Sequence, residues 1–227
     1  MDIEEKVVEK IPFDFGAMSA TYDRWYTTPT GMANDWVQKS DMQHLLMPVK
    51  AGARLLDAGC GTGHWSRFFE ELGYDVTGVD VSEEQLKQAR LHNRPGLRFQ
   101  NGNLCASLPF EGDTFDIVTA MTVIEFVFSP LRALREMARC TRKGGRILVG
   151  ALNRNALLNR QRIIEEREPY ISANLHSQEE LYQLLSPFGT IRMVGSDPED
   201  FCGDTISGHC RSAVHPNAPL IIAEVQR

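Results

Sequence analysis

The sequence predicts an α/β protein built on a seven-stranded, mostly parallel sheet with helices on both faces and an antiparallel hairpin at its C-terminal end. Three observations predict it. From residue 53 onward, short apolar runs alternate with helical stretches, the pattern of strand–helix–strand units with right-handed crossovers. Three glycines, Gly59, Gly61 and Gly63, stand directly after the first of those runs. Near the C-terminus, one helical stretch is followed by two apolar runs with a polar loop between them.

In chain order, residues 1–50 read as a helical lid and 51–227 as the main body of one compact domain. The aromatic stretch Tyr22-Asp23-Arg24-Trp25-Tyr26 precedes an amphipathic helix over 34–46, and Thr28-Pro29-Thr30-Gly31 reads as the turn between them. Strands are predicted at 54–58, 75–79, 97–100, 115–120 and 146–151, each a short apolar run. Helices are predicted over 65–72, 82–90 and 130–140. Ser82 with Gln85 three residues on is a capping-box signature for the second of these. Lys143-Gly144-Gly145 is expected to end the third and turn the chain into the next strand. A helix over 178–185 then leads to strands at 190–194 and 220–225, the predicted hairpin.

Composition bounds the function. An apolar fraction of 42% with 24% charged residues is that of a globular chain able to bury a core. A net charge of −6 argues against a polyanionic partner, because binding phosphates needs a positive surface. No apolar run is long enough for a bilayer span, and the acidic start MDIEEKVVEK has no basic or apolar leader region. The five cysteines are scattered, without a CxxC pair. These features together predict a cytoplasmic protein.

The segment from Asp57 to Gly63 carries the chemistry. Glycine permits positive-φ turns and close approach of a ligand to the backbone, although the same spacing also makes a plain strand-to-helix turn. Its neighbours favour a ligand. Asp80 ends the second strand, where a carboxylate can accept hydrogen bonds from ribose hydroxyls; its other possible role is to cap the helix that follows. Asp57 inside the loop would repel a pyrophosphate but attract a ligand carrying an ammonium and a sulfonium. The spacing is not that of a dinucleotide fingerprint, and no phosphate-binding G-x-x-x-x-G-K-[ST] occurs. A cationic nucleoside without phosphates fits, and S-adenosylmethionine (SAM) is one.

The segments LLDAGCGTGHWS, VTGVDVSEEQLKQAR, LPFEGDTFDIVTAMTVIEFV and LREMARCTRKGGRILVG, in this order, resemble the class I SAM-dependent methyltransferases. Within them the chain looks closest to small-molecule enzymes related to those of ubiquinone and menaquinone biosynthesis. The resemblance implies a Rossmann-like fold, SAM as cofactor and S-adenosylhomocysteine as product. It implies that Asp57, Gly59, Gly61 and Gly63 line the methionine and ribose, that Asp80 takes the ribose hydroxyls, and that Val81 packs on the adenine. Asn103, followed by Leu104, stands where this group often carries an aspartate that meets the adenine amino group. Ala120 and Met121 would turn backbone carbonyls to the cofactor amine, and Tyr22 and Trp25 would close over the methionine end, or serve as plain core.

The acceptor is not fixed by any motif. The Asn-Pro-Pro-[Tyr/Phe] signature of amino-group methylators is replaced by Thr122-Val123-Ile124-Glu125. Glu125 could face the substrate or cap the next turn. His209 and His215, in the polar loop before the last strand, are further catalytic candidates. That loop also holds Cys202 and Cys210, but its spacing matches no familiar zinc site, and no metal is expected. Arg142, Lys143, Arg146, Arg154, Arg160, Arg162 and Arg167 read as a solvated face neutralised by Glu165, Glu166 and Glu168, rather than an RNA contact. A small-molecule acceptor is expected; the alternatives are an RNA or protein methyltransferase, or a SAM-binding regulatory module without catalysis.

Overall fold

The computed structural model describes residues 15–202, 205–206 and 213–227. Seven strands form one sheet: β1 (Arg54–Ala58), β2 (Asp75–Asp80), β3 (Leu97–Asn101), β4 (Phe115–Met121), β5 (Thr141–Leu152), β6 (Thr190–Val194) and β9 (Leu220–Gln226), in the order β3-β2-β1-β4-β5-β9-β6. A separate two-stranded ladder pairs β7 (Phe201–Cys202) with β8 (Thr205–Ile206). The first five strands of the sheet are mutually parallel. The predicted hairpin is the antiparallel pair β6–β9, but β9 inserts between β5 and β6 and runs against both, so it is the one reversed strand.

Strand residues alternate between two cores. Leu56, Val118 and Ile147 face one core, covered by α4 (Pro130–Cys140) and α6 (Gln178–Leu185); Leu55, Ile117 and Leu148 face the other, covered by α1 (Pro29–Leu46) and α2 (His64–Glu71). A sheet buried on both faces needs apolar residues at successive positions, which is why its strands read as continuous apolar runs. The remaining helices are α3 (Glu83–Arg90) and α5 (Leu157–Ile164).

Four local readings are corrected. Thr28-Pro29-Thr30-Gly31 is not a turn between helices but the start of α1: the Thr28 hydroxyl accepts from the Gly31 N–H at 3.0 Å and Pro29 takes the first helical position. Lys143-Gly144-Gly145 does not end α4, which stops at Cys140; β5 begins at once, and the glycines lie where its register with β4 jumps from Phe115↔Thr141 to Ile117↔Arg146. Only half of the Ser82 capping box forms, since the Gln85 side chain turns away to the Phe15 carbonyl. The complete box is at Ser177 and Glu180, opening α6. The arginines are not one solvated face either. Arg162 is 8% exposed and donates to the Tyr170 hydroxyl at 2.6 Å, while Arg146 reaches the Leu45 carbonyl and Glu224.

Candidate active site

The glycine loop leaves β1 at its carboxyl end and is pinned to the end of β2. Gly59 and Cys60 both donate to the Val79 carbonyl, at 2.7 and 2.9 Å, and Gly61 donates to Asp80 Oδ2 at 2.8 Å. Asp80 Oδ1 accepts from the Ser82 N–H at 2.9 Å, so one carboxylate ties the loop to the start of α3, while Ser82 itself caps the helix. Burial raises the Asp80 pKa, opposed by these backbone N–H groups. Two glycines are obligatory here. A Cβ on Gly59 (φ +79°) would meet Val123 Cγ2 at 2.4 Å, and one on Gly63 (φ +79°) would meet Phe99 Cζ at 2.7 Å.

Asp57 is 1% exposed, and both oxygens are engaged: Oδ2 accepts from Ser66 at 2.5 Å and Oδ1 from Thr119 at 3.1 Å. Burial pushes its pKa up to about 6, against those hydroxyls. At the end of β4, Thr122 sits at φ +54°, a costly conformation for a β-branched residue. It is held there by its N–H to the Gly150 carbonyl at 2.7 Å and its hydroxyl to the Met121 carbonyl at 2.7 Å.

The loop and strand ends form one wall of a cavity; an N-terminal segment forms the other. The 3-10 turn Tyr22–Thr27 and Phe15 lie across it. The Tyr26 ring stacks on His64 at 3.7 Å between centroids, and His64 Nε2 meets Asp35 Oδ1 of α1 at 2.6 Å. Phe15 packs edge-on against Phe126 at 4.9 Å. The Thr62 hydroxyl donates to Asp23 Oδ1 at 2.6 Å. Trp25 lies under the Arg162 guanidinium, 5.3 Å from its ring centroid. Burial pushes the Tyr22 phenol up to about 12, partly opposed by the Thr122 and Tyr26 hydroxyls.

Of the residues singled out from the sequence, Tyr22, Asp57, Gly59, Gly61, Asp80, Val81, Asn103, Leu104 and Met121 line this cavity. Trp25, Gly63 and Ala120 do not: Trp25 turns to Arg162, Gly63 packs under Phe99, and Ala120 is buried in the sheet core. Asn103 Oδ1, expected to face an adenine, accepts from the Cys105 N–H at 2.8 Å. Glu125 is also off the cavity wall. It is 2% exposed, with Oε1 accepting from the Leu152 N–H at 3.0 Å and Oε2 unpartnered among the described residues, and burial pushes it up to about 7. His215 lies away from the cavity, with Nδ1 3.6 Å from Asp197. His209 and Cys210 fall outside the described residues, as does the Cys202 side chain. Sequence reasoning missed His64, Tyr26 and Gln85, which all line the cavity. His64 directly follows Gly63, a signal that was there to be read; nothing local marks Asp35 as its partner.

The cavity wall holds two carboxylates, Asp57 and Asp80, and, among the described residues, no lysine or arginine. Apolar groups, including the exposed Val81 side chain at the mouth, supply much of the rest. An anionic wall under a glycine cradle at the carboxyl ends of parallel strands suits a nucleoside better than a phosphate.

A family model described as a methyltransferase domain matches residues 56–149, the β1–β5 unit that carries this wall. Over that unit the chain carries a methyltransferase domain, the part of it that resembles the class I SAM-dependent methyltransferases. It is 35% identical over 140 residues to a malonyl-[acyl-carrier protein] O-methyltransferase from Pectobacterium atrosepticum, covering 61% of this chain and 51% of that protein. It is 32% identical over 167 residues to a ubiquinone biosynthesis O-methyltransferase from Idiomarina loihiensis, covering 67% and 64%. The chain thus spans roughly half to two thirds of the length of these relatives. Among solved structures it superposes on a SAM-dependent methyltransferase, possibly a histamine N-methyltransferase, from Thermotoga maritima (TM-score 0.70, 26% identity, 93% and 97% coverage). A magnesium protoporphyrin IX methyltransferase from Synechocystis with bound S-adenosylhomocysteine shares the fold (TM-score 0.67, 17% identity, 94% and 96% coverage).

Proposed function

We propose that this protein transfers a methyl group from SAM to a small-molecule acceptor by in-line displacement, releasing S-adenosylhomocysteine. The observation that carries the proposal is the cavity wall itself: two carboxylates, a glycine cradle and, among the described residues, no cationic side chain to meet a phosphate. The chain's own residues suit the cofactor. The Asp80 carboxylate has lone pairs left for ribose hydroxyls beyond its two backbone donors. Val81 presents an apolar face for the adenine, and the loop at Gly59 and Gly61 gives the methionine and ribose close access to backbone. Asn103 would accept from the adenine amino group through its second lone pair, with Leu104 beside it. Met121 and Tyr22 would close the methionine end, with Ala120 packed behind them in the sheet core. Trp25 and Gly63 act through packing, one holding the lid and the other the loop.

When bound, SAM supplies a methyl group on a good leaving group, so the protein's work is orientation and exclusion of water. The lid over residues 1–50 does the second, and the domain over 51–227 does the first. The cavity also has an aromatic and apolar lining, with Phe15, Tyr22, Tyr26, Phe126 and Val127, which favours a small organic acceptor over a nucleic acid. The arginines engaged by Glu180, Glu224, Asp116 and Tyr170 leave no free basic track among them. The names of the two O-methyltransferase relatives, one of ubiquinone biosynthesis and one for a malonyl group on a carrier protein, support an organic acceptor over a nucleic acid. The free thiols of Cys60, Cys105 and Cys140 suit a reducing cytoplasm, and no helix among the described residues is long and apolar enough to cross a membrane.

Calorimetry with S-adenosylhomocysteine, with NAD and ATP as controls, tests the cofactor. Binding of the first alone is expected, and its failure to bind would overturn the reading. Release of S-adenosylhomocysteine from SAM on adding pooled metabolites then tests catalysis. Binding without turnover against any pool would favour a regulatory module.

A further inference from the structure

Gln85 is the residue whose placement the capping signature does not explain. It is 2% exposed inside α3, yet its side chain lines the cavity. Its Nε2 donates to the Phe15 carbonyl at 2.8 Å, across 70 residues of sequence, and so ties the lid to the cofactor half of the site. That bond fixes the orientation of the amide: nitrogen to the lid, oxygen to the other side. Oε1 has no hydrogen-bond partner among the described residues, and it lies 3.7 Å from where a Cβ on Gly61 would stand. Gly61 is the residue whose N–H Asp80 holds. A buried, unpartnered carbonyl oxygen carries a desolvation cost that a donor can relieve.

We infer that Gln85 Oε1 accepts a hydrogen bond from a ribose hydroxyl of the cofactor, and that Gln85 thereby links cofactor binding to closure of the lid. The inference rests on the SAM reading above. The ribose carries the donors within reach of the Asp80–Gly61 corner, and the amide needs both of its ends used to sit buried without cost. With the pocket filled, the amide is held at both ends, and the Phe15 carbonyl is held with it. Without a donor at Oε1 the amide sits buried at a cost, and its hold on the Phe15 carbonyl is weaker, leaving the ring contacts of Phe15 with Tyr22 and Phe126 to keep the segment in place. Gln85 is a positioning residue in this scheme, acting on the lid through its own amide.

The experiment is hydrogen–deuterium exchange of residues 15–27 with and without S-adenosylhomocysteine, alongside calorimetric affinity, for the wild type and Gln85→Met. Wild type is expected to bind and to show slowed exchange over 15–27. Gln85→Met, of similar size but without either hydrogen bond, is expected to bind about ten-fold more weakly and to show no ligand-induced slowing. Unchanged affinity in the variant, or unchanged slowing, overturns the inference while leaving the cofactor reading intact. No binding to the wild type overturns the cofactor reading instead. Should the variant fail to fold, the 2′-deoxy and 3′-deoxy analogues of S-adenosylhomocysteine ask the same of the wild type. One of them is expected to bind without slowing exchange over 15–27. Equal slowing by both would overturn the inference.

Discussion

The two walls of the cavity are built on different principles. The glycine-loop wall is local and rigid: β1, the loop, α2 and the end of β2 lie within residues 54–80, and loop N–H groups donating to the Val79 carbonyl and the Asp80 carboxylate fix their relation. The lid wall is assembled from distant parts by side chains. Tyr26 stacks on His64, Asp23 takes the Thr62 hydroxyl, Phe15 meets Phe126 and Gln85, and Trp25 lies under Arg162. A wall of backbone bonds fails as a unit, whereas a wall of side-chain contacts loosens one contact at a time. The first suits a fixed cofactor cradle and the second a cover that opens.

The largest effect is expected where the rigid wall has no room. Gly63→Ala combines a left-handed backbone with a Cβ placed 2.7 Å from Phe99 and 3.3 Å from Ala89. Left-handed strain and overpacking together cost roughly 2–5 kcal/mol. Urea unfolding should show that loss, and S-adenosylhomocysteine binding should vanish with it. Stability within experimental error of the wild type would mean that the loop yields more easily than its hydrogen bonds imply.

Asp80→Ala comes next, because it acts on the ligand and on the loop together. Losing two charge-assisted hydrogen bonds to ribose costs roughly 2–4 kcal/mol of cofactor affinity, to be read by calorimetry. Release of Gly61 and Ser82 from their shared acceptor adds a smaller loss of stability. An unchanged affinity would place the ribose elsewhere.

What the sequence revealed follows the same division. The glycine loop, Asp80, Val81 and the positions of the strands in the β1–β5 unit were legible because their signals are contiguous: a run of apolar residues, a glycine pattern, a carboxylate at the strand end. Gln85 was misread because a capping box is also a contiguous signal, and the side chain instead obeys a partner 70 residues away. Arg162 was misread for a related reason. Three glutamates nearby in sequence suggested solvated neutralisation, but the guanidinium is buried between the Trp25 and Tyr170 rings, 5.3 and 4.5 Å from their centroids. Thr28-Pro29-Thr30-Gly31 was read as a turn, although Thr-Pro is as local a signal for a helix start as for a turn. In the fold Gly31 is needed because a Cβ there would lie 1.9 Å from the Trp25 carbonyl, a contact between lid and α1 invisible to any sequence window.

Glu125 lies behind the cavity and ties the end of β5 to the loop before α6, through its side chain to the Leu152 N–H and its carbonyl to the Asn174 N–H. Its folded pKa, raised by burial from 4.5 to about 7, makes it a pH-dependent liability. The folded state holds the proton more tightly than the unfolded chain, so stability is greatest below about 4.5 and falls as pH rises through about 7. The full difference is on the order of 3 kcal/mol. Asp57, raised to about 6, adds to the same slope at lower pH. Glu125→Gln keeps the acceptor for Leu152 and cannot ionise. The variant should match the wild type near pH 5 within about 1 kcal/mol and exceed it by roughly 2–3 kcal/mol at pH 8, by urea unfolding. Parallel stability curves for the two proteins would show that this carboxyl is not desolvated.

The smallest effect probes the lid wall alone. Thr62 donates to Asp23 Oδ1 at 2.6 Å, and the other Asp23 oxygen is reached by Arg67 at 3.4 Å. Thr62→Val has nearly the same shape and removes one hydrogen bond between loop and lid, worth about 1 kcal/mol. Since Arg67, the Tyr26–His64 stack and the Arg162–Trp25 contact remain, the lid should stay docked, with exchange over residues 15–27 faster by about five-fold. The loop keeps its N–H bonds to the Val79 carbonyl and the Asp80 carboxylate, so affinity for S-adenosylhomocysteine should change by less than about three-fold. A larger loss of affinity than of lid protection would reverse the comparison: the hydroxyl would then serve the rigid wall, and the lid would hold without it.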